Sequence, residues 1–357
     1  MEKSIWGKNI PRIIGNMMIV LVSLFIGMGI CEVVSRIFFN AELAYFVDAA
    51  GKRTQLLIDD KELGFVNKPN FDGWIIASEF RNRITINKFG FRGGDNPLKN
   101  NGNKLRIMAI GDSFTFGIGV EEEETYIKKL ESCLRGKISA PIEGLNFGVG
   151  AYGTIQEYLI FQKFRYLKPD LVILGFLARN TFAEEGGNDL VDNYNFYYKN
   201  ILKKEKQDKR YLPWQRTFRS IFRKYSNLYR IVEFQFGGYL RKKYSDDKIN
   251  IQLRDEAWII SIDFLKMIDS ALKEEGIKGI LLWVPFPGTV EKKDFTVLRI
   301  LEEQKFNNLF VINPMEGLAS KDKQYYYSLD GHWNKDGHAV VGKILCEEII
   351  TKRLLYR

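Results

Sequence analysis

The residues able to do chemistry together lie at two distant places in the chain. Gly111 to Val120 (GDSFTFGIGV) follows the apolar run Leu105 to Ile110, which sets Ser113 at the mouth of an expected buried strand. Far downstream, Asp330-Gly331-His332-Trp333-Asn334 supplies a carboxylate and an imidazole two residues apart, and the chain's 2 histidines, His332 and His338, both lie in this stretch. A serine hydroxyl is a poor nucleophile at neutral pH. It needs a base within hydrogen-bond reach and a carboxylate that fixes the tautomer of that base. Ser113, His332 and Asp330 are the candidates for those three roles. His338 reads as a structural histidine opening the last helix, and Asp112 as a residue that ties down the nucleophile loop.

Acyl transfer also requires donors for the oxyanion that develops on the carbonyl. The candidates are the backbone N–H of Ser113, the backbone N–H of Ala151 and the side-chain amide of Asn180, with Asn188 as the alternative asparagine. Each of the first three follows an expected strand. Asp330 and His332 follow the fifth, so the whole set falls at carboxyl ends of strands, where open α/β sheets bind ligands.

The elements that must position these residues are legible as continuous apolar runs at Leu105 to Ile110, Ile142 to Phe147, Leu171 to Phe176, Gly279 to Val284 and Leu309 to Asn313. Runs of this kind suit a parallel sheet covered on both faces. Between and after them, helical spacing predicts helices at Thr125 to Leu134, Thr154 to Leu167, Asp255 to Glu275 and His338 to Leu354. The predicted fold class is α/β, a three-layer α/β/α sandwich around a five-stranded parallel sheet. Turn signals alternate with β-prone runs from Asp59 to Leu98, which predicts a strand-rich, membrane-proximal segment over 41–104.

Gly111-Asp112-Ser113, the segment Asn146 to Thr154 (NFGVGAYGT), Asn180 and Asp330-x-His332 resemble the successive blocks of the SGNH/GDSL hydrolase family, over about Leu63 to Ile350. The likeness is greatest to members with an N-terminal membrane anchor, often tied to extracellular polysaccharides. The resemblance implies a flavodoxin-like sheet, a Ser-His-Asp triad at Ser113, His332 and Asp330, and hydrolysis or transfer of small acyl groups with no metal or cofactor. The chain departs from the pattern at Ala151, where the family has its oxyanion glycine, and at Thr181, where it often has aspartate. Ser113 also lacks the second glycine of a G-x-S-x-G elbow, which excludes the α/β-hydrolase arrangement.

Other chemistries fit less well. Gly148-x-Gly150-x-x-Gly153 has the form of a dinucleotide fingerprint, but Leu171 to Phe176 ends without the acid that would hold a ribose. A metal site built on Asp330, His332 and His338 lacks further ligands. The second class of function is a non-catalytic carbohydrate-binding or polysaccharide-assembly protein that keeps the fold.

The N-terminal segment predicts that the expected α/β domain lies outside the cytoplasm. The uncharged run Ile13 to Cys31 is long enough to span a bilayer as one transmembrane helix, residues 1–40 forming the anchor. Lys3, Lys8 and Arg12 precede it, so the positive-inside bias puts the N-terminus in the cytoplasm and residues 105–357 beyond the plasma membrane. A cleaved signal peptide is the alternative, and a buried core helix the bland one. Cys133 and Cys346 are read as small buried hydrophobes rather than as a disulfide. Residues 203–248, inside an insertion at about 181–250, carry 14 Lys/Arg against 5 Asp/Glu, an excess equal to the +9 of the whole chain. Their apolar positions recur at helical spacing. The expected partners are anionic lipid or an acidic polymer, with a self-packed helix as the plain alternative. Nucleic acid is excluded by location.

Overall fold

The computed structural model describes residues 6–38, 44–94, 104–178, 193, 196–202, 221–222, 225–229, 232, 247–319 and 323–355. Asn180, Asn188 and most of the basic segment 203–248 lie outside the described residues. The chain forms two compact units.

The larger unit is built on β7 (Leu105–Gly111), β8 (Ile142–Gly148), β9 (Leu171–Phe176), β10 (Lys278–Trp283) and β11 (Leu309–Ile312), preceded by six other strands. These five pair in parallel in the order β11-β10-β9-β7-β8. Ile107 to Ile110 and Leu171 to Leu174 are fully buried, which is why the runs are apolar without alternation. Numbered from β7, the order is 2-1-3-4-5, the flavodoxin-like arrangement.

Right-handed crossovers fix where the helices go. The step from β7 to β8 runs one way and all later steps run the other. The helix in the first step, α3 (Tyr126–Leu134), therefore falls on one face. Those in the later steps, α4 (Thr154–Phe164), α5 (Asp247–Glu275) and α7 (Thr296–Glu303), fall on the opposite face. The packing follows: α4 lies against α5, and α9 (Lys335–Thr351) returns to lie against α3. Short helices among the described residues include α2 (Ser113–Phe116), α6 (Pro287–Lys292) and α8 (Met315–Leu318).

Two helix starts lie several residues from the sequence expectation. Helix α9 begins at Lys335 rather than His338, because the Asn334 side chain accepts from the N–H groups of Asp336 and Gly337, both at 3.0 Å, and so caps it. Helix α5 extends back to Asp247. A third difference concerns the cysteines. Cys133 of α3 and Cys346 of α9 form a disulfide, their Cα atoms 6.2 Å apart, because the packing of the two helices places the sulfurs side by side.

Ahead of β7, β1 (Tyr45–Asp48), β2 (Arg53–Thr54), β5 (Asp72–Ile76) and β6 (Arg81–Thr85) make an antiparallel sheet in the order β2-β1-β5-β6, and β3 (Leu57–Asp60) pairs with β4 (Gly64–Asn67) as a hairpin. This small sheet has its own apolar core: Leu56, Phe71, Ile75, Phe80, Ile84 and Ile86 cluster with Phe116 from α2. The turn that bears Ser113 is thus packed on both the parallel sheet and the antiparallel one.

The smaller unit holds α1 (Trp6–Phe38). The stretch Ile13–Phe38 has mean hydropathy 2.4, long and apolar enough to cross a membrane. Near its end, the Glu32 carboxylate accepts from the N–H groups of Asn227 (2.8 Å) and Leu228 (3.0 Å) and from the Ser226 hydroxyl (2.8 Å), while Asn227 donates to Ser35 (3.2 Å).

Candidate active site

The chain leaves β7 and turns at once into α2, with Asp112 as its cap: the carboxylate accepts from the Phe114 N–H at 2.9 Å. So abrupt a turn needs its neighbours to stay small. A Cβ on Gly111 would lie 2.2 Å from the Thr115 hydroxyl, and one on Gly148 only 2.1 Å from the Phe116 nitrogen. The far end of the turn is held by Arg92, whose guanidinium donates to the carbonyls of Phe116 (2.7 Å), Gly117 (2.5 Å) and Val120 (2.5 Å). Asn146 of β8 donates to the Thr115 carbonyl at 2.8 Å. Ser113 occupies the first position of α2, where a backbone N–H has no intrahelical partner.

The loop between α8 and α9 brings the other residues in. His332 Nε2 lies 2.7 Å from Ser113 Oγ, and His332 Nδ1 is hydrogen-bonded to the Asp330 carboxylate. An ionised carboxylate only accepts, so Nδ1 carries the proton and Nε2 is left to accept from the serine hydroxyl. Burial would raise the Asp330 pKa, but the hydrogen bond and charge of His332 outweigh it and hold the carboxyl below its ordinary value. The His332 ring packs on Phe114 (4.7 Å between centroids), and Phe114 meets Trp333 edge to face at 4.9 Å. The loop closes on itself, Tyr327 N–H donating to the His332 carbonyl (2.9 Å) and Gly331 N–H to the Tyr327 carbonyl (3.0 Å).

The structure therefore brings Ser113, His332 and Asp330 together. His338 stands apart, buried with its Nδ1 accepting from the Tyr126 N–H at 3.2 Å. Burial, followed by the charges of Arg92, His332 and Lys129, pushes it down to about 3, so it is a neutral structural acceptor. Ala151, after β8, takes a left-handed backbone with φ at 65°. A Cβ in that region costs about 1 kcal/mol, which is the physical reason a glycine suits this position. Among the described residues no group of three His, Cys, Asp or Glu side chains could hold a metal ion.

Sequence reasoning missed several supporting residues. Arg92, and Glu79, whose carboxylate accepts from the N–H groups of Ser328, Leu329 and Asp330, act on segments distant in sequence, so no local pattern marks them. Glu157 is also new. It is fully buried in α4, and neither carboxylate oxygen has a hydrogen-bond partner among the described residues. Burial, then the charge of Asp112, raises its pKa well above the ordinary value. Asp112 is itself pushed up to about 6 by burial, against the pull of the Phe114 N–H and His332.

A carboxyl whose folded pKa is raised binds its proton more tightly in the native state, so its contribution to stability is lost as pH climbs above the unfolded value. Glu157→Gln is accordingly expected to stabilise the protein relative to wild type at pH 8, and by progressively less toward pH 4. Denaturant titrations across that range check the sign. Parallel stability curves for the two proteins would refute the raised pKa of Glu157.

No protein-family model and no curated protein matches the sequence. In shape, the chain is similar to several solved structures. A lipolytic protein of the G-D-S-L family from Desulfitobacterium hafniense is 17% identical, with a TM-score of 0.36, over 68% of this chain and 98% of its own. The lipase/acylhydrolase from Enterococcus faecalis is 13% identical, with a TM-score of 0.38, over 70% and 96%. The Clostridium thermocellum family 3 carbohydrate esterase is 14% identical, also with a TM-score of 0.38, over 70% and 96%. Likeness this distant does not carry the activity or substrate of those proteins to this chain.

Proposed function

We propose that this chain is a membrane-anchored serine esterase or O-acyltransferase of the SGNH type, with the larger unit on the outer side of the plasma membrane. The observation that carries the reading is the hydrogen-bonded series Asp330, His332, Ser113, between the α8–α9 loop and the carboxyl end of β7. Ser113 Oγ attacks the acyl carbonyl as its proton passes to His332 Nε2, and the Asp330 carboxylate stabilises the imidazolium that forms. The oxyanion is held by the N–H groups of Ser113 and Ala151 and by the side chain of Asn180. Collapse releases the alcohol, which takes the proton from His332, and leaves an acyl-serine. Water or a sugar hydroxyl, deprotonated in turn by His332, then receives the acyl group.

The substrate class that goes with this reading is an acyl ester, acetyl first among them, of a carbohydrate or another small ester. Export is supported by the Cys133–Cys346 disulfide, since such bonds persist in oxidising compartments. Membrane attachment is supported by the apolar length of α1. The basic segment 203–248 is assigned to anionic headgroups or an acidic polymer on the strength of its charge.

The test is product analysis with the detergent-solubilised full chain, an aryl acetate as donor and a sugar acceptor present or absent. Acetate released in both conditions marks an esterase; acetyl-sugar formed at the expense of acetate marks a transferase. If no ester is turned over, the protein is a carbohydrate-binding member of the fold.

A further inference from the structure

The turn joining β5 to β6 is tight, Ala77 N–H donating to the Phe80 carbonyl at 2.9 Å, and it carries Ser78 and Glu79 at its tip. The Glu79 carboxylate accepts from three consecutive backbone N–H groups of the base loop. Oε1 takes Ser328 at 2.7 Å, and Oε2 takes Leu329 at 2.8 Å and Asp330 at 2.9 Å. The contact is reinforced on either side. The ring of Phe80 packs on Tyr327 (4.8 Å between centroids), and the Tyr327 hydroxyl donates to the carbonyl of Gly119, just past the nucleophile turn, at 2.6 Å.

We propose that Glu79 is a positioning residue for the Asp330–His332 pair, and that the antiparallel sheet preceding β7 is part of the active site because it delivers this carboxylate. Three successive N–H groups can converge on one acceptor only if the loop is curved toward it. A carboxylate has the lone pairs to accept all three, and charge-assisted bonds of this kind are the strong ones. The third of these N–H groups belongs to Asp330 itself. With Gly331 at φ 83° reversing the chain next to it, the Asp330 backbone is held between Glu79 and the loop's own closure. Its carboxylate thereby faces Nδ1 of His332 and also accepts from the His332 N–H at 3.3 Å. The loop has no other carboxylate spanning these three donors among the described residues.

The proposal rests on the serine-esterase reading, and the experiment separates the two. Wild type, Glu79→Gln, Asp330→Ala and the double variant are compared as full-length protein for fluorophosphonate labelling rate and for kcat and KM on an aryl acetate. Gln keeps the shape of Glu79 while removing its charge and one acceptor oxygen. Small displacements of an orienting group are costly, so Glu79→Gln is expected to lower kcat by about 10- to 100-fold with KM unchanged. In the Asp330→Ala background the same change is expected to cost nothing further, since the group Glu79 positions is gone. Glu79→Asp, which keeps the charge one methylene short, is expected to recover part of the rate. Failure of wild type to label overturns both readings. Labelling of wild type with equal kcat in Glu79→Gln, or a full further loss in the double variant, overturns the role of Glu79 alone.

Discussion

Ser113→Ala is expected to abolish fluorophosphonate labelling and to lower ester turnover by about a thousandfold or more, with the fold intact. The probe reports chemistry directly: phosphorus bonds to Oγ, fluoride leaves, and the hydroxyl proton goes to His332. Only a serine whose hydroxyl already has a base in reach reacts this way, and His332 Nε2 stands 2.7 Å from it. The substitution removes one partly exposed hydroxyl from the first position of α2, where the cap is supplied by Asp112 and the far end by Arg92. The melting temperature should therefore change little. Because the two residues act as a unit, adding His332→Ala to Ser113→Ala should cost almost nothing more. Equal labelling of wild type and Ser113→Ala would place the reactive serine elsewhere and sink the assignment.

Much of this site was legible in the sequence because its parts are written locally. The strands carry unbroken apolar runs since both faces of the sheet are covered, and such runs end where the sheet ends. Ser113 and Ala151 stand just beyond those ends and Asp330-x-His332 follows the last of the runs, so strand assignment brought them toward one edge. The departure at Ala151 was visible as a missing glycine, and the left-handed backbone there shows why a glycine suits the position. What stayed hidden depends on tertiary placement. Glu79 lies some 250 residues from the N–H groups it accepts, and a lone glutamate in a surface turn carries no mark of that. Arg92 was hidden in the same way: a basic residue after a short strand reads as solvated until three carbonyls are found around it. Asn334 was legible but overlooked, since an asparagine followed by Lys-Asp-Gly is an ordinary helix cap.

Loss of the Cys133–Cys346 disulfide is expected to have the largest effect on stability of any single change outside the site. The bond closes a loop of 213 residues, and in the chain-entropy account a cross-link of that span stabilises by about 5 kcal/mol, chiefly by restricting the unfolded chain. For a unit of this size that corresponds to a fall in Tm of about 10 °C or more. Cys346 is fully buried, so the double Cys133→Ala/Cys346→Ala variant is the suitable one; a serine there would bury an unpaired hydroxyl. The same fall should follow from reductant on wild type and should be absent from reductant on the variant. Helices α3 and α9 flank the site, yet His332 is bonded to Ser113 and Asp330 and its loop is closed by Tyr327 and Glu79, none of which involves the sulfurs. Below the lowered melting temperature, labelling of Ser113 should therefore proceed at the wild-type rate. A variant that melts with oxidised wild type would show that helix packing alone holds α3 to α9, and a variant that is stable but labels slowly would show that the cross-link also sets the geometry of the base.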